Sequence, residues 1–205
     1  MVILAVGPHP DDIELGCYGS LAKFKSIQKG DIYFLIITNG ENGGESEIRM
    51  NEAKESAALI DARIIFLNER DGYLKHDAST VGKIKKVIDS ISPKTIFFPF
   101  YKDTHQDHVA CSLSVISASH GKESLLMYET PSTCGMMPNT YNDVTDYVDL
   151  KFKALDRHES QLSKVYFNKD LLKSRMLYWG WKNRRKQYME SFFVYKQFIM
   201  EQDHL

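Results

Sequence analysis

The sequence predicts an α/β protein built on an open, mostly parallel sheet. Apolar segments of four to six residues lack polar alternation, which is typical of strands that are covered on both faces. Segments with helical periodicity separate them, and this order implies right-handed crossovers between parallel strands. No internal repeat or linker-like tract divides the 205 residues. We therefore expect a single domain over residues 1–205.

The elements follow in order along the chain. The predicted strands are Val2–Val6, Ile32–Ile37, Ile64–Leu67, Thr95–Phe98 and Leu125–Tyr128. The predicted helices are Leu15–Lys29, Ile48–Ile60, Val81–Ile91 and Asp107–Ala118. Gly30 and Pro93 end the first and third helices, Ser46 precedes the second, and the acidic residue at the start of the fourth can cap free amides. We expect a long loop over residues 130–143. From Lys151 onward we expect helices that pack against the sheet or a partner subunit.

Composition excludes several classes of function. The net charge of −1 provides no basic field for nucleic acid, and the basic run at 182–186 reads as a solvated helix face. No apolar segment has the length of a membrane span, so we expect no membrane insertion. Three cysteines without CxxC spacing argue against a disulfide framework and a thiolate zinc cluster. With no cationic signal segment before the first strand, these features predict a cytoplasmic protein.

The segment HPDD at 9–12 follows the first strand and precedes the first helix. Ligand sites of open α/β sheets form at this carboxyl edge. A dinucleotide would require a glycine fingerprint there, but Gly16 and Gly19 come too late and the carboxylates would repel a pyrophosphate. The position and the charge together favour a cation.

A second polar cluster, DTHQDH at 103–108, follows the fourth strand. If the two strands are neighbours, the clusters meet at one edge of the sheet. His105 and His108 are three residues apart at a helix start and share a side of that helix. Each cluster alone has a plain structural explanation, a turn with an N-cap or the start of a surface helix. Their joint occurrence at strand ends favours a metal site.

A catalytic zinc site uses three nitrogen and oxygen ligands and keeps a position for water. The residues His9, Asp12 and His108 supply such a set. The side chains of Asp11 and Asp12 diverge in a turn, so Asp11 can face the water as a general base.

Two further residues of the second cluster have expected roles. His105 could act as an acid on a leaving amine or bind an oxyanion. Asp107 could orient a ligand histidine from outside the ligand set.

These motifs resemble the PIG-L/LmbE-like family of zinc-dependent de-N-acetylases. The resemblance rests mainly on PHPDDIELGCYGSLAKF at 8–24 and THQDH at 104–108. Supporting segments are TNGENGG at 38–44, DGYL at 71–74, YET at 128–130, KALDRHESQ at 153–161 and ESFF at 190–193. The resemblance therefore spans nearly the whole chain.

The resemblance implies a Rossmann-like three-layer fold with a mostly parallel central sheet, and hydrolysis of an N-acetyl group on an amino sugar. The positions that match the family are His9, Asp12 and His108 as metal ligands, Asp11 as general base, His105 as second catalytic histidine and Arg49 as a substrate contact. The resemblance also implies Zn²⁺, with Fe²⁺ as an alternative, and a homo-oligomer, either a trimer or a hexamer.

Some alternatives stay open at this stage. Arg49 reads either as a substrate anchor or as a surface salt bridge to Glu45 or Glu52, and the resemblance favours the anchor. The leading function is removal of acetyl from a small N-acetylated sugar or sugar conjugate. The alternatives are an amidase for another N-acyl substrate, such as a thiol conjugate or an antibiotic or polysaccharide intermediate, and a metal-binding protein without turnover.

Overall fold

The computed structural model describes residues 1–119, 121 and 123–198. Its centre is a seven-stranded sheet in the order β3-β2-β1-β4-β5-β7-β6. The first five strands are parallel, and β7 runs antiparallel to both β5 and β6. The strands are β1 Val2–Gly7, β2 Asp31–Thr38, β3 Arg63–Glu69, β4 Thr95–Pro99, β5 Ser124–Tyr128, β6 Thr140–Asp143 and β7 Met189–Lys196.

Helices cover both faces of the sheet, which confirms the predicted three-layer α/β fold. The helices are α1 Asp12–Gly16, α2 Tyr18–Gln28, α3 Ser46–Ala58, α4 Ala78–Ile91, α5 Gln106–Ala118, α6 Val148–Leu155 and α7 Lys169–Lys182. One face of the sheet packs against α2, α3 and α6, and the other packs against α4 and α5.

The first strand shows why the sheet is buried on both sides. Ile3 and Ala5 belong to the core beneath α2 and α3, whereas Leu4 and Val6 belong to the core beneath α4 and α5. Side chains alternate across a strand, so a strand that is apolar at every position requires a layer on each face. The uninterrupted apolar runs of the sequence therefore predict these strands correctly.

The predictions are wrong at three elements. The helix expected over Leu15–Lys29 begins earlier and is interrupted at Cys17, between α1 and α2. The expected loop 130–143 ends in β6, and the expected helical tail ends in β7. Strand β7 pairs with β5 and β6, and its aromatic and β-branched residues in MESFFVYK are a local strand signal that the prediction of helices overlooks. The basic run at 182–186 is exposed, but it lies mostly beyond the end of α7.

Several expectations about the whole protein stay predictions. All three cysteines are free, with Cys17 and Cys111 buried and Cys134 exposed. Among the described residues, none of the helices has the length and apolar character to span a membrane. The single domain, the cytoplasmic location and the trimer or hexamer stay predictions.

Strand order places the two polar clusters together. Strand β1 lies between β2 and β4. The chain therefore adds β2 and β3 on one side of β1 and then returns to add β4 and β5 on the other side. Such a switch point leaves a crevice beyond the carboxyl ends of the strands. The segment after β1 carries HPDD, and the segment after β4 carries DTHQDH.

Candidate active site

A cavity of about 570 Å³ opens at this switch point, within the range of roughly 300–1,000 Å³ that is usual for small-molecule sites. Its wall comes from the segments after β1, β2, β3, β4 and β5 and from residues 164 and 166. Six of the seven predicted site residues line it: His9, Asp11, Asp12, Arg49, His105 and His108.

The carboxylate of Asp12 lies between two histidines. One oxygen, Oδ2, is 3.1 Å from Nδ1 of His9, and the other, Oδ1, is 3.3 Å from Nε2 of His108. All three side chains are almost fully buried. The structure therefore brings together the three residues that the sequence predicts as metal ligands.

Further carboxylates hold the far nitrogen of each histidine. Nε2 of His9 is 3.1 Å from Asp71 and 3.4 Å from Asp107, and Nδ1 of His108 is 3.1 Å from Asp103. A carboxylate on the far nitrogen fixes the proton there, so the near nitrogen keeps its lone pair for a metal. This arrangement orients Nδ1 of His9 and Nε2 of His108 toward the same carboxylate.

The carboxylates also give the site a strongly negative electrostatic potential. Burial opposes protonation of His9, but hydrogen bonds to Asp107, Asp12 and Asp71 outweigh it and raise the pKa of His9. Burial likewise opposes protonation of His108, yet the charge of Asp12 prevails and raises its pKa to about 9. A site that attracts protons in this way also suits a divalent cation in their place.

Two sets of residues around His9 bring one ligand atom each within 4.8 Å of one another. The first is His9, His105 and His108, the second is His9, Asp71 and Asp107, and Asp12 belongs to neither. However, Nδ1 of His105 already accepts the backbone N–H of Asp107, which leaves the proton on Nε2 of a neutral ring.

The two carboxylates of the second set also accept hydrogen bonds from the backbone. Asp71 accepts the backbone N–H of Asn42, and Asp107 accepts those of Gly72 and Leu74. Both carboxylates also contact Nε2 of His9, at 3.1 Å and 3.4 Å, which suits them to orienting its ring. Asp107 does not cap its own helix as the sequence suggests, because His105 occupies the N-cap position of α5.

Asp11 occupies a strained position next to the predicted ligands. Its backbone has φ 155° and ψ −19°, a conformation that residues other than glycine rarely adopt. The side chain is buried and accepts a hydrogen bond of 3.0 Å from Nη2 of Arg49. Burial raises the pKa of Asp11 to about 6, against the opposing charge of Arg49. A carboxylate with a raised pKa suits a general base.

His105 lies against both histidines of the predicted ligand set. Its ring is stacked on His108 with centroids 4.8 Å apart and meets the edge of His9 at 4.6 Å. Burial and the neighbouring histidines lower the pKa of His105, so the neutral ring with a proton on Nε2 is favoured. Such a ring donates a hydrogen bond to a developing oxyanion.

The side chain of Arg49 is buried and pairs with Asp11, which rules out the alternative of a surface salt bridge to Glu45 or Glu52. The guanidinium donates from Nη1 to the carbonyl of Gly40 at 2.6 Å and from Nη2 to the carbonyl of Pro10 at 3.2 Å and to Asp11. The fold of the loop after β2 turns this residue of α3 inward. Its role as a substrate contact stays a prediction.

Sequence reasoning misses several polar residues of this region. Asp71 and Asp103 lie within or beside the motifs, but only the loop packing shows that each reaches a histidine. The sequence also assigns no role to His158 of KALDRHESQ, which is fully buried with Nε2 3.4 Å from Glu14. His120 and His204, equally without an assigned role, lie outside the described residues.

Comparison with known proteins identifies the family. The family described as PIG-L, GlcNAc-PI de-N-acetylase, matches residues 4–119. An uncharacterised deacetylase of Escherichia coli K12, YaiS, is 34% identical over 171 residues, which cover 77% of this chain and 90% of that protein. The chain therefore belongs to the PIG-L family of de-N-acetylases.

More distant relatives have named sugar substrates. A diacetylchitobiose deacetylase of Thermococcus kodakarensis is 24% identical, covering 87% of this chain and 77% of that protein. A probable N-acetyl-alpha-D-glucosaminyl L-malate deacetylase of Bacillus subtilis is 25% identical, covering 78% and 82%. The crystal structure of the conserved protein TT1542 from Thermus thermophilus shares the fold, with a TM-score of 0.86, 25% identity and coverage of 99% and 98%.

Proposed function

We propose that the protein is a zinc-dependent hydrolase that removes the N-acetyl group from a small N-acetylated amino sugar or sugar conjugate and releases acetate. The proposal is supported most directly by one observation, the carboxylate of Asp12 between Nδ1 of His9 and Nε2 of His108. The sugar deacetylases among its relatives support the reaction and the substrate class.

In the proposed site His9, Asp12 and His108 hold the metal, and Fe²⁺ is an alternative to Zn²⁺ because nitrogen and carboxylate donors accept several divalent ions. When bound, such an ion lowers the pKa of water and polarises the amide carbonyl. The carboxylates of Asp71, Asp103 and Asp107 keep the ligand histidines in place. The remaining chemistry depends on this chain's other side chains.

Asp11 accepts a proton from the attacking water while the water oxygen forms a bond to the amide carbon. The N–H of His105 stabilises the oxyanion that forms on the carbonyl oxygen. The carbon–nitrogen bond then breaks, and the proton held by Asp11 passes to the amine, so that acetate and a free amino sugar leave. Arg49 keeps the Asp11 carboxylate oriented throughout.

A metal-binding protein without turnover is less consistent with the site. A purely structural metal site is closed by protein ligands. Here Asp11 and His105 line the cavity beside the predicted ligands without belonging to them, and the buried, strained position of Asp11 is costly for a residue with no chemical role.

The test is a comparison of the wild type with Asp11→Asn on N-acetylglucosamine and diacetylchitobiose, with bound metal and released acetate measured on the same samples. We expect the variant to keep its metal and lose roughly 100- to 10,000-fold in turnover. Asp61→Asn, which changes an exposed carboxylate paired with Lys25, serves as the matched control. Full activity of Asp11→Asn would remove Asp11 as the base, and no acetate from wild type on any N-acetyl sugar would contradict the function.

A further inference from the structure

The cavity contains a second basic residue that the proposed chemistry does not use. The lining contains one arginine and one lysine, Arg49 and Lys164. The guanidinium of Arg49 donates hydrogen bonds to Gly40, Pro10 and Asp11. Lys164 is half-buried, and within the described part of the chain no carboxylate lies within ion-pair distance of it.

Neutral oxygens hold the amine of Lys164 in place. Its Nζ donates to the carbonyl of Gly43 at 3.2 Å and to the side-chain carbonyl of Gln161. An ammonium has three N–H donors, so one remains for a ligand. Gly43 lies between the two cations, since a Cβ there would approach both Arg49 and Lys164. The glycine thus leaves room for the lysine at the cavity wall.

An aromatic ring accompanies this amine. Tyr166 also lines the cavity, and Nζ of Lys164 is 5.7 Å from the centre of its ring. The hydroxyl of Tyr166 is 3.4 Å from the same oxygen of Gln161 that Lys164 contacts. The segment 161–166 therefore presents a cation and a partly exposed ring together, a combination that suits a sugar with a charged substituent.

We infer that Lys164 binds an anionic substituent of the substrate, so that the preferred substrate is an N-acetylated amino sugar bearing a phosphate or a carboxylate. This inference rests on the proposed function and narrows its substrate class. Burial and the charge of Arg49 lower the pKa of Lys164, and a bound anion would offset both effects. Tyr166 contacts the sugar ring beside it.

The test compares substrates that differ in charge. The values of kcat/KM for acetate release are measured with N-acetylglucosamine, its 1-phosphate, its 6-phosphate and N-acetylmuramic acid. We expect at least one anionic sugar to exceed the neutral one by roughly 10- to 100-fold, the effect of one hydrogen bond to a charged group. The anion that shows the preference identifies the substituent as phosphate or carboxylate.

Two variants assign the preference to the residue. Lys164→Gln should reduce the ratio of anionic to neutral kcat/KM to near one, and Lys164→Arg should retain most of it. Lys169→Gln removes the same charge from an exposed residue that pairs with Asp156 and should leave the ratio unchanged. A wild type with no anionic preference, or a Lys164→Gln variant whose ratio is unaltered, would overturn the inference.

Binding separates this inference from the proposed function. Calorimetry measures sugar affinities of two metal-loaded proteins, Asp11→Asn and the double variant Asp11→Asn/Lys164→Gln. The sugars are N-acetylglucosamine, its 1-phosphate, its 6-phosphate and N-acetylmuramic acid. If no sugar is deacetylated but an anionic sugar still binds tighter through Lys164, the reaction is wrong and the charge recognition stands. If acetate is released without any charge preference in rate or affinity, the function stands and the role of Lys164 fails.

Discussion

Nη2 of Arg49 lies 3.0 Å from Oδ2 of Asp11, and both side chains are almost completely buried. The pair links α3 to the turn after β1. It places the positive charge of the Arg49 guanidinium next to the carboxylate that we propose as the base. Removal of one partner from a buried ion pair leaves an uncompensated charge, which is more costly than the pair itself is stabilising.

Arg49→Met is therefore expected to lower the free energy of unfolding by about 3–5 kcal/mol and to abolish most turnover. The double variant Arg49→Met/Asp11→Asn should recover part of the stability, because no buried charge then remains, but none of the activity. Urea unfolding of the four proteins gives the coupling free energy. Additive effects on stability would show that the two side chains do not act as a pair.

The contact between Asp103 and His108 predicts a role in metal affinity. Burial works against the charged carboxylate, but the hydrogen bond from His108 dominates and lowers the pKa of Asp103 to about 2. Asp103→Asn should weaken metal binding by roughly 10- to 100-fold, as is usual when the partner of a ligand histidine is lost. Competition with a chelator measures the affinity. Asp77→Asn, which alters only the N-cap of α4, should bind metal like the wild type, and equal affinities of all three would contradict the contact's role.

Glu190 anchors the last strand to the start of the fold. Its carboxylate accepts the backbone N–H groups of Gly19 at 3.0 Å and Ser20 at 2.7 Å and a hydrogen bond from the amine of Lys151 at 2.6 Å. We expect Glu190→Gln to cost about 3 kcal/mol in the free energy of unfolding, because it leaves Lys151 as an unpaired buried charge. Thermal or urea unfolding provides the value.

An exposed pair serves as the comparison for Glu190. Lys85 and Asp89 form an ion pair one turn apart on α4, at the surface. Asp89→Asn should change the free energy of unfolding by less than about 0.5 kcal/mol. Similar effects of Glu190→Gln and Asp89→Asn would mean that the buried cluster does not hold β7.

Two glycines on helices should respond to alanine in opposite directions. A Cβ at Gly16 would overlap the ring of Tyr128, whereas a Cβ at Gly82 in α4 would meet no atom within 4 Å. Gly82→Ala should stabilise the protein by about 0.5–1 kcal/mol through helix propensity. Gly16→Ala should destabilise it strongly, since Tyr128 is itself fixed by a hydrogen bond to Val6. Melting temperatures that move in the same direction would contradict the packing.

The site was predictable where its residues follow strands directly. His9, Asp12 and His108 come just after β1 and β4, and the order of parallel strands brings such positions together by a general rule. The roles of Asp71 and Asp103 could not be predicted in the same way. Each reaches a histidine through the path of a loop, and loop paths depend on packing that local sequence does not encode.

The last quarter of the chain shows the same limit. Strand β7 pairs with β5, which lies more than sixty residues earlier in the chain, and Glu190 finds its partners on α2 and α6. Lys164 and Tyr166 reach the cavity from a single 3₁₀ turn, Val165–Phe167, and the residue before it, which is too short to show a periodic pattern. Their proximity to Arg49 and Gly43 follows from the tertiary fold alone.

The measurement that tests the central claim most directly is metal content together with acetate release for the wild type, His108→Ala and His76→Ala. His76 is an exposed histidine that contacts Ser117, so its variant controls for the loss of an imidazole. We predict about one metal ion per chain and acetate release for the wild type and His76→Ala, and the loss of both for His108→Ala. Acetate release by His108→Ala at the wild-type rate, or by wild type stripped of metal, would contradict the account.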